Sequence, residues 1–165
     1  MKTLIVIDMQ NDFVTGSLAN PAAEAIIPFI KAEWKSGKYD SVFFTKDTHD
    51  ENYLETQEGK NLPIKHCIRG TEGWEIVEPL KGGLWMGKST FGRPDWGWPF
   101  SEADEIVLVG TCTDICVISN ALILKSTFPE TKITVLAKGC AGSTPERHAA
   151  ALEVMKSCQI NVVED

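Results

Sequence analysis

The sequence predicts an α/β fold in which a mainly parallel sheet is covered by helices on both faces. Several segments, such as residues 3–8 and 105–110, are short continuous apolar runs, which is typical of strands buried on both sides. These runs alternate with segments whose apolar residues recur at helical spacing, and this alternation favours parallel strands joined by helices. Because 165 residues are enough to bury a substantial core, we expect a single domain over residues 1–165.

The first half of the chain contains two predicted strands, one helix and a long polar connection. Residues 3–8 are rich in leucine and β-branched side chains, and residues 22–35 show helical spacing. Pro28 is expected in or near the first turn of that helix, because deeper inside it would remove a hydrogen bond. A second strand is predicted at residues 41–45, followed by a polar stretch over residues 46–73. A connection of that length in a compact domain usually carries function.

The second half repeats the alternation of strands and helices. We predict a short helix at residues 75–80 and a short strand at residues 84–87, before a segment rich in Gly, Pro and Trp at residues 89–100. The last helix opens with Thr-Pro-Glu, which puts proline at the first helical position. The remaining predicted elements are strands at 105–110, 132–137 and 160–163 and helices at 114–126 and 144–158.

Composition and charge narrow the expected partners and compartment. The net charge of −7 disfavours polyanions such as nucleic acid, and no apolar run approaches the length of a membrane span. Five cysteines are an odd count without an extracellular spacing pattern, and the N-terminal segment is charged too early for a signal peptide. We therefore expect reduced thiols, a cytoplasmic location and a small-molecule partner.

Four chemically active side chains follow predicted strands. Asp8 ends the first strand, Asp47 follows the second, Lys88 follows the third and Cys116 lies just beyond the fourth. In open parallel sheets, ligands bind beyond the carboxyl ends of the strands. The sequence therefore predicts that these four side chains meet at one edge of the sheet.

Asp8, Lys88 and Cys116 have the chemistry of a nucleophilic site. A thiol near the start of a helix feels the positive end of the peptide dipoles, so we expect Cys116 to have a lowered pKa and to be the most reactive thiol. Asp8 would take its proton, and Lys88 would stabilise both negative groups. The alternatives are a buried structural thiol, an aspartate that caps a turn and a solvated lysine.

Asp47, His49 and His66 form a candidate metal site in the long polar connection. Asp47 and His49 lie two residues apart, on the same side of an extended chain, and His66 follows seventeen residues later. Three Asp and His ligands with open positions are typical of catalytic metal sites. The alternative is that these residues are only polar surface. The third histidine, His148, is expected at the surface of the last helix.

Five motifs resemble the isochorismatase-like cysteine hydrolases, especially the nicotinamidase branch. They run in order over nearly the whole chain and read Val-Ile-Asp-Met-Gln-Asn-Asp-Phe (6–13), Asp-Thr-His (47–49), His-Cys-Ile-Arg-Gly-Thr-Glu-Gly-Trp-Glu (66–75), Gly-Lys-Ser-Thr-Phe (87–91) and Gly-Thr-Cys-Thr-Asp-Ile-Cys-Val (110–117). The resemblance implies a three-layer α/β/α fold with a six-stranded, mainly parallel sheet.

The resemblance also implies roles for individual residues. It makes Asp8 the acid/base, Lys88 its cationic partner and Cys116 the nucleophile. It implies a cis peptide bond between Thr111 and Cys112, with the backbone N–H groups of Cys112 and Cys116 as the oxyanion hole.

For the ligands, the resemblance implies that Asp47, His49 and His66 bind a divalent metal, with zinc expected first and iron or manganese as alternatives. Phe13 matches a position that lines the substrate pocket.

Two positions depart from the family pattern. Thr48 stands where nicotinamidases commonly have tryptophan, so an aromatic pocket wall is missing or is supplied from a different position. The candidates are Trp85, Phe91, Trp96 and Trp98, and an aromatic in this loop is also a candidate subunit contact in a homo-oligomer. Cys112 stands where alanine is more usual, and we interpret it as a packed thiol in preference to half of a regulatory disulfide.

We therefore expect a hydrolase that cleaves a small amide through a thioester on Cys116, with nicotinamide as the first candidate substrate. The alternatives are an amidase or ureido hydrolase with a different substrate, an isochorismatase that acts on a vinyl ether, and a non-catalytic binding module. The pair His49 and His66 counts against an isochorismatase, and the presence of Asp8, Lys88 and Cys116 together counts against a binding module.

Overall fold

A single six-stranded sheet runs through the middle of the molecule. The computed structural model describes residues 1–165. All six strands are parallel and lie in the order β3-β2-β1-β4-β5-β6. Their bounds are β1 Lys2–Ile7, β2 Ser41–Asp47, β3 Leu84–Lys88, β4 Glu105–Thr111, β5 Lys132–Ala141 and β6 Asn161–Val163. The predicted six-stranded α/β fold is confirmed.

Six α-helices connect the strands. Their bounds are α1 Asn11–Val14, α2 Pro21–Ala25, α3 Ile27–Lys35, α4 Gln57–Asn61, α5 Ile118–Thr127 and α6 Pro145–Ser157. Short 3₁₀ turns lie at Tyr53–Glu55, Glu72–Trp74, Glu78–Leu80 and Phe100–Glu102, and one π-helical turn, Thr113–Val117, precedes α5. Thr144 caps α6 by accepting a hydrogen bond from the Arg147 N–H, and Pro145 occupies the first turn, as its missing N–H requires.

Each face of the sheet is covered by its own layer of helices. Side chains alternate along β1, so Leu4 and Val6 point to one face and Ile5 and Ile7 to the other. The first face packs against α2 and α3 through residues such as Ile30. The second face packs against α5 and α6, which contribute Ala121, Leu124, Leu152 and Met155. These three layers agree with the predicted architecture.

The helix predicted at residues 75–80 is wrong. Glu75 and Ile76 are held in extended conformation against the chain that follows β1, where the Asn11 N–H donates to the Glu75 carbonyl and Ile76 forms a bridge with Gln10. Only Glu78–Leu80 forms a helical turn. Tertiary pairing thus overrides the local pattern.

The predicted helix at residues 22–35 is divided at Ile26 into α2 and α3. Pro28 falls in the first turn of α3, as predicted. Two strands are longer than predicted. β2 extends to Asp47 instead of ending at residue 45, and β5 extends to Ala141 instead of ending at residue 137. No helix of the structure is both long enough and apolar enough to cross a membrane.

The strand order places a crevice between β1 and β4. The chain builds β2 and β3 on one side of β1 and then crosses to build β4 on the other side. Such a switch point opens a crevice at the carboxyl ends of the two central strands. Asp8 follows β1 directly and Cys116 follows β4 by one turn, so both residues lie at this crevice.

Candidate active site

Asp8 is fully buried at the end of β1 and is held on both carboxylate oxygens. The Thr45 hydroxyl donates to Oδ1 at 2.6 Å and accepts a hydrogen bond from the Asp8 N–H at 3.1 Å. Lys88 Nζ lies 2.5 Å from Oδ2. Burial raises the pKa of Asp8, while the Lys88 charge and the Thr45 hydrogen bond oppose that rise. The backbone of Asp8 is left-handed, with φ of 48°, a conformation that aspartate tolerates better than most residues.

Lys88 connects the candidate nucleophile, the candidate base and the loop that follows β3. Its Nζ lies 3.6 Å from Cys116 Sγ and 3.6 Å from Asp47 Oδ1, and it donates to the Thr90 carbonyl at 3.1 Å. Burial alone would lower the pKa of Lys88, but the neighbouring carboxylates of Asp8 and Asp47 outweigh burial and raise it. Lys88 is therefore a permanent cation in this site.

Cys116 lies in the π-helical turn between β4 and α5, not in a regular helix as predicted. Burial raises the pKa of its thiol well above the ordinary value, and the neighbouring Asp8 carboxylate raises it further, while Lys88 opposes both effects. The expected lowering of this pKa is therefore wrong. Cys116 rests as a thiol beside Asp8, an arrangement suited to proton transfer to the carboxylate.

Hydrogen bonds to the β5–α6 region hold the turn that carries Cys116. The Asp114 carboxylate accepts from the Ser143 N–H at 2.7 Å and from the Ser143 hydroxyl at 2.5 Å. The Thr113 hydroxyl lies 2.7 Å from Nδ1 of His148, so this histidine is half-buried and paired instead of free at the surface. The peptide bond between Thr111 and Cys112 is cis, as the resemblance implies.

The predicted metal ligands come together and gain a fourth member, Glu58. The candidate ligand atoms of Asp47, His49, Glu58 and His66 all lie within 4.8 Å of one another. Asp47 Oδ2 is 3.0 Å from His49 Nε2 and 3.6 Å from His66 Nε2. Although burial opposes it, the two histidines and Lys88 lower the pKa of Asp47, so its carboxylate stays ionised. Two carboxylates and two imidazoles suit a divalent transition metal.

Neighbouring groups orient these ligands. Nδ1 of His66 is 2.8 Å from the Ile64 carbonyl, and because a carbonyl only accepts, Nδ1 carries a proton there, which turns Nε2 toward the cluster, 3.6 Å from Asp47 Oδ2. The Gln10 side chain is buried and binds the Asp47 backbone on both sides, accepting from its N–H at 2.7 Å and donating to its carbonyl at 2.8 Å.

Sequence reasoning missed Glu58 because it lies on α4, a short helix inside the polar connection for which no apolar period exists. The helix begins at a Thr56 cap, whose hydroxyl accepts from the Gly59 N–H. That threonine, followed by polar helix formers, is the weak local signal that was available.

The candidate nucleophile and the metal cluster open into the same cavity, which has a volume of 460 Å³. Phe13 lines it, as the resemblance implies, and its ring centroid lies 5.6 Å from that of His66. The full lining is Phe13, Leu18, Ala19, Asn20, Pro21, Asp47, Glu58, Leu62, His66, Phe91, Cys112, Ile115, Cys116 and Ser143. A cavity of this size, mostly apolar with a few converging polar groups, is typical of a small-molecule site.

Among the four candidate aromatic replacements, Phe91 lines the cavity. Trp96 is buried in the core, and Trp85 and Trp98 are exposed away from the cavity. Thr48 does not line it either, because its hydroxyl accepts a hydrogen bond from Trp74 Nε1 at 2.9 Å. The aromatic wall is therefore supplied from the loop after β3.

Known proteins are similar to this chain over nearly its whole length. The isochorismatase domain matches residues 2–94 and 100–164. The nicotinamidase/pyrazinamidase of Mycobacterium tuberculosis is 29% identical over 185 residues, covering 99% of this chain and 98% of that protein.

Two solved structures are similar over nearly their whole length. The pyrazinamidase/nicotinamidase of Streptococcus mutans superposes with a TM-score of 0.81 at 27% identity, covering 99% of this chain and 100% of that one. The pyrazinamidase of Pyrococcus horikoshii, solved in complex with zinc, gives a TM-score of 0.77 at 27% identity and covers 99% of each chain.

Proposed function

The chain belongs to the isochorismatase family, and we propose that it is a cysteine hydrolase that cleaves the C–N bond of a small amide, nicotinamide being the first candidate. The observation that carries this proposal is the arrangement of Asp8, Lys88 and Cys116, with Lys88 Nζ 2.5 Å from the carboxylate and 3.6 Å from the thiol. The full-length similarity to nicotinamidases supports the choice of substrate.

Asp8 acts first as the general base. It accepts the thiol proton of Cys116 as the sulfur attacks the amide carbon, which the neutral thiol needs because burial and the Asp8 carboxylate raise its pKa. The backbone N–H groups of Cys112 and Cys116 are proposed to stabilise the oxyanion. Asp8 then gives the proton to the leaving nitrogen, and the C–N bond breaks to release ammonia and a thioester.

Hydrolysis of the thioester restores the enzyme. Asp8 accepts a proton from a water molecule, whose oxygen attacks the thioester carbon, and the proton returns to the Cys116 sulfur as the C–S bond breaks. The products are a carboxylate and ammonia, which is nicotinate and ammonia when nicotinamide is the substrate. Lys88 stays protonated throughout, and its charge favours the ionised form of Asp8 at the two points where Asp8 accepts a proton, from Cys116 and later from water.

Asp47, His49, Glu58 and His66 fit a divalent metal, because their candidate ligand atoms converge and His66 Nε2 faces the cluster while its Nδ1 is hydrogen-bonded to the Ile64 carbonyl. We propose zinc first, with iron or manganese as alternatives. A bound ion would supply a Lewis-acidic position in the cavity for a ring nitrogen or for water.

Turnover of three amides, with released ammonia as the readout, tests the substrate. We expect cleavage of nicotinamide and of pyrazinamide, which keeps a ring nitrogen in the same place. Benzamide lacks that nitrogen and should be far poorer. Equal rates for nicotinamide and benzamide would contradict recognition of the ring nitrogen. No turnover of the three, with a reactive Cys116, would overturn the nicotinamide assignment in favour of an aliphatic amide or a ureido compound.

A further inference from the structure

Asn120 is a buried polar side chain that the proposed mechanism does not use. It lies in α5, one turn after Cys116, and is fully buried. Asparagine is a poor helix former, and its amide is costly to bury unless its polar atoms are paired. Here Nδ2 donates to the Cys116 carbonyl at 2.8 Å and to the Phe91 carbonyl at 3.3 Å, and Oδ1 accepts from the Arg93 N–H at 2.8 Å.

These three hydrogen bonds join the nucleophile turn to the loop that follows β3. Both amide protons of Asn120 and its oxygen are used, so the side chain fixes the distance between Cys116 and residues 91–93. The loop also approaches α5 closely at Gly92, where an added Cβ would lie 2.4 Å from Ile123 Cδ1 and 3.2 Å from Ser119 Cβ. Asn120 is therefore the polar anchor of a tight contact between loop and helix.

The anchored loop carries one wall of the cavity. The cavity is lined by two phenylalanine rings, those of Phe13 and Phe91. Phe13 belongs to α1, whereas Phe91 belongs to a loop and remains 47% exposed. Its backbone carbonyl accepts a hydrogen bond from the Asn120 amide, and the same amide donates to the Cys116 carbonyl, so Asn120 links the position of the Phe91 backbone directly to the nucleophile turn.

We propose that Asn120 is a positioning residue that holds Phe91 against the cavity and so determines the preference for flat ring amides over amides without a ring. Aromatic rings favour stacked or edge-to-face contacts with each other, which an aliphatic chain cannot reproduce. The identity of the ring amide rests on the proposed function. The role of Asn120 in holding the Phe91 wall does not, and it can be tested without measuring turnover.

The first test compares Asn120→Ser, Phe91→Ala and the double variant. In Asn120→Ser, the new hydroxyl can still bond the carbonyl four residues earlier, so contact with Cys116 is retained while the loop is released. We expect KM for nicotinamide to rise about tenfold, the order of one lost aromatic contact, with kcat changed less than about threefold. Phe91→Ala should do the same, and the double variant should equal Phe91→Ala alone. A loss of kcat without a change in KM, or additive losses in the double variant, would overturn the proposal.

The second test needs no turnover. Iodoacetamide has no ring and N-phenyl iodoacetamide has one, and the ratio of their alkylation rates at Cys116, mapped by mass spectrometry, measures the ring preference. Exposed Cys158 normalises the intrinsic reactivity of the two reagents. We expect the ratio at Cys116 to favour the ring reagent in the unaltered protein and to fall about tenfold in Asn120→Ser. An unchanged ratio would refute the role of Asn120.

A matched control and the two readouts keep the hypotheses separate. Thr127→Ala removes an exposed hydroxyl that donates to the Ile123 carbonyl on the same helix, and it should leave both KM and the alkylation ratio unchanged. If the unaltered protein fails to cleave nicotinamide, the proposed substrate is wrong, while the alkylation ratio still decides whether Asn120 holds the Phe91 wall.

Discussion

At the scale of single residues, Asp8 carries most of the proposed chemistry, because it accepts or donates the proton in every step. Each of its carboxylate oxygens has a distinct partner. Oδ1 is occupied by the Thr45 hydroxyl, whereas Oδ2 faces Lys88. Asp8→Asn keeps the shape but removes the base, so we expect kcat to fall by about 10²- to 10⁴-fold with the fold intact. Steady-state ammonia release measures this. The exposed Asp95→Asn is the control, and equal activity of the two variants would exclude Asp8 as the base.

The pH dependence follows from the raised pKa of Asp8. Asp8 accepts a proton only when ionised, so kcat/KM should decline on acidification through a pKa above the ordinary value of about 3.9. The Thr45 hydroxyl stabilises the carboxylate form. Thr45→Val should therefore move the acid limb to higher pH, while Thr45→Ser, which keeps the hydroxyl, should not. The full pH profile of kcat/KM is the measurement, and coincident acid limbs for the two variants would contradict this role.

Which residues could be predicted from the sequence depends on where they lie along the chain. Asp8, Asp47, Lys88 and Cys116 lie at or just beyond the carboxyl ends of strands, and parallel strands bring such positions to one edge whatever their separation in sequence. Glu58 lies outside that rule, because α4 has no apolar period to reveal it. The thiol pKa was also beyond reach, because it depends on burial and on the charge of Asp8, which only the packed structure fixes.

At the scale of elements, β2 and α4 converge on the candidate metal site. β2 delivers Asp47 at its last residue and α4 delivers Glu58 at its second. We expect the protein purified without an affinity tag to hold about one divalent ion per chain. His49→Ala should lose the ion, whereas His148→Ala, which alters the histidine outside the cluster, should keep it. Elemental analysis is the measurement, and equal metal content in the two variants would contradict the ligand assignment.

Element boundaries were predictable where local signals and packing agree, as at the start of α6. They failed where another part of the chain supplies the hydrogen bonds. Glu75 and Ile76 read as helical but pair with the segment after β1. The π-helical turn before α5 likewise depends on a distant part of the chain, since the Ser143 N–H and hydroxyl donate hydrogen bonds to the Asp114 carboxylate and help to hold the turn.

At the scale of the whole molecule, β3 is an edge strand with an apolar surface. Leu84 is 70% exposed, Trp85 51% and Trp98 in the following loop 78%. Exposed apolar groups at a sheet edge are typical of interfaces. We expect the chain to form a homo-oligomer through this edge, and Leu84→Glu to shift it toward monomer, in contrast to the control Val154→Glu on α6. Light scattering measures the mass, and a monomer at all concentrations would contradict the prediction.

The sequence predicted the layers of the molecule but not its strand order. Continuous apolar strands require helices on both faces, and this much follows from burial alone. The position of β1 between β2 and β4 is set by long-range pairing. That position brings Asp8 and Cys116 to one crevice, so the site is a property of the whole topology.

The release of ammonia from nicotinamide by Cys116→Ala, compared with Cys158→Ala, decides whether the Cys116 thiol is the nucleophile. Both variants remove a thiol and leave a methyl side chain, one in the cavity wall and one at the surface. We expect activity at the level of the unaltered protein for Cys158→Ala and none above background for Cys116→Ala, with both variants folded. Retained turnover in a folded Cys116→Ala protein would contradict it.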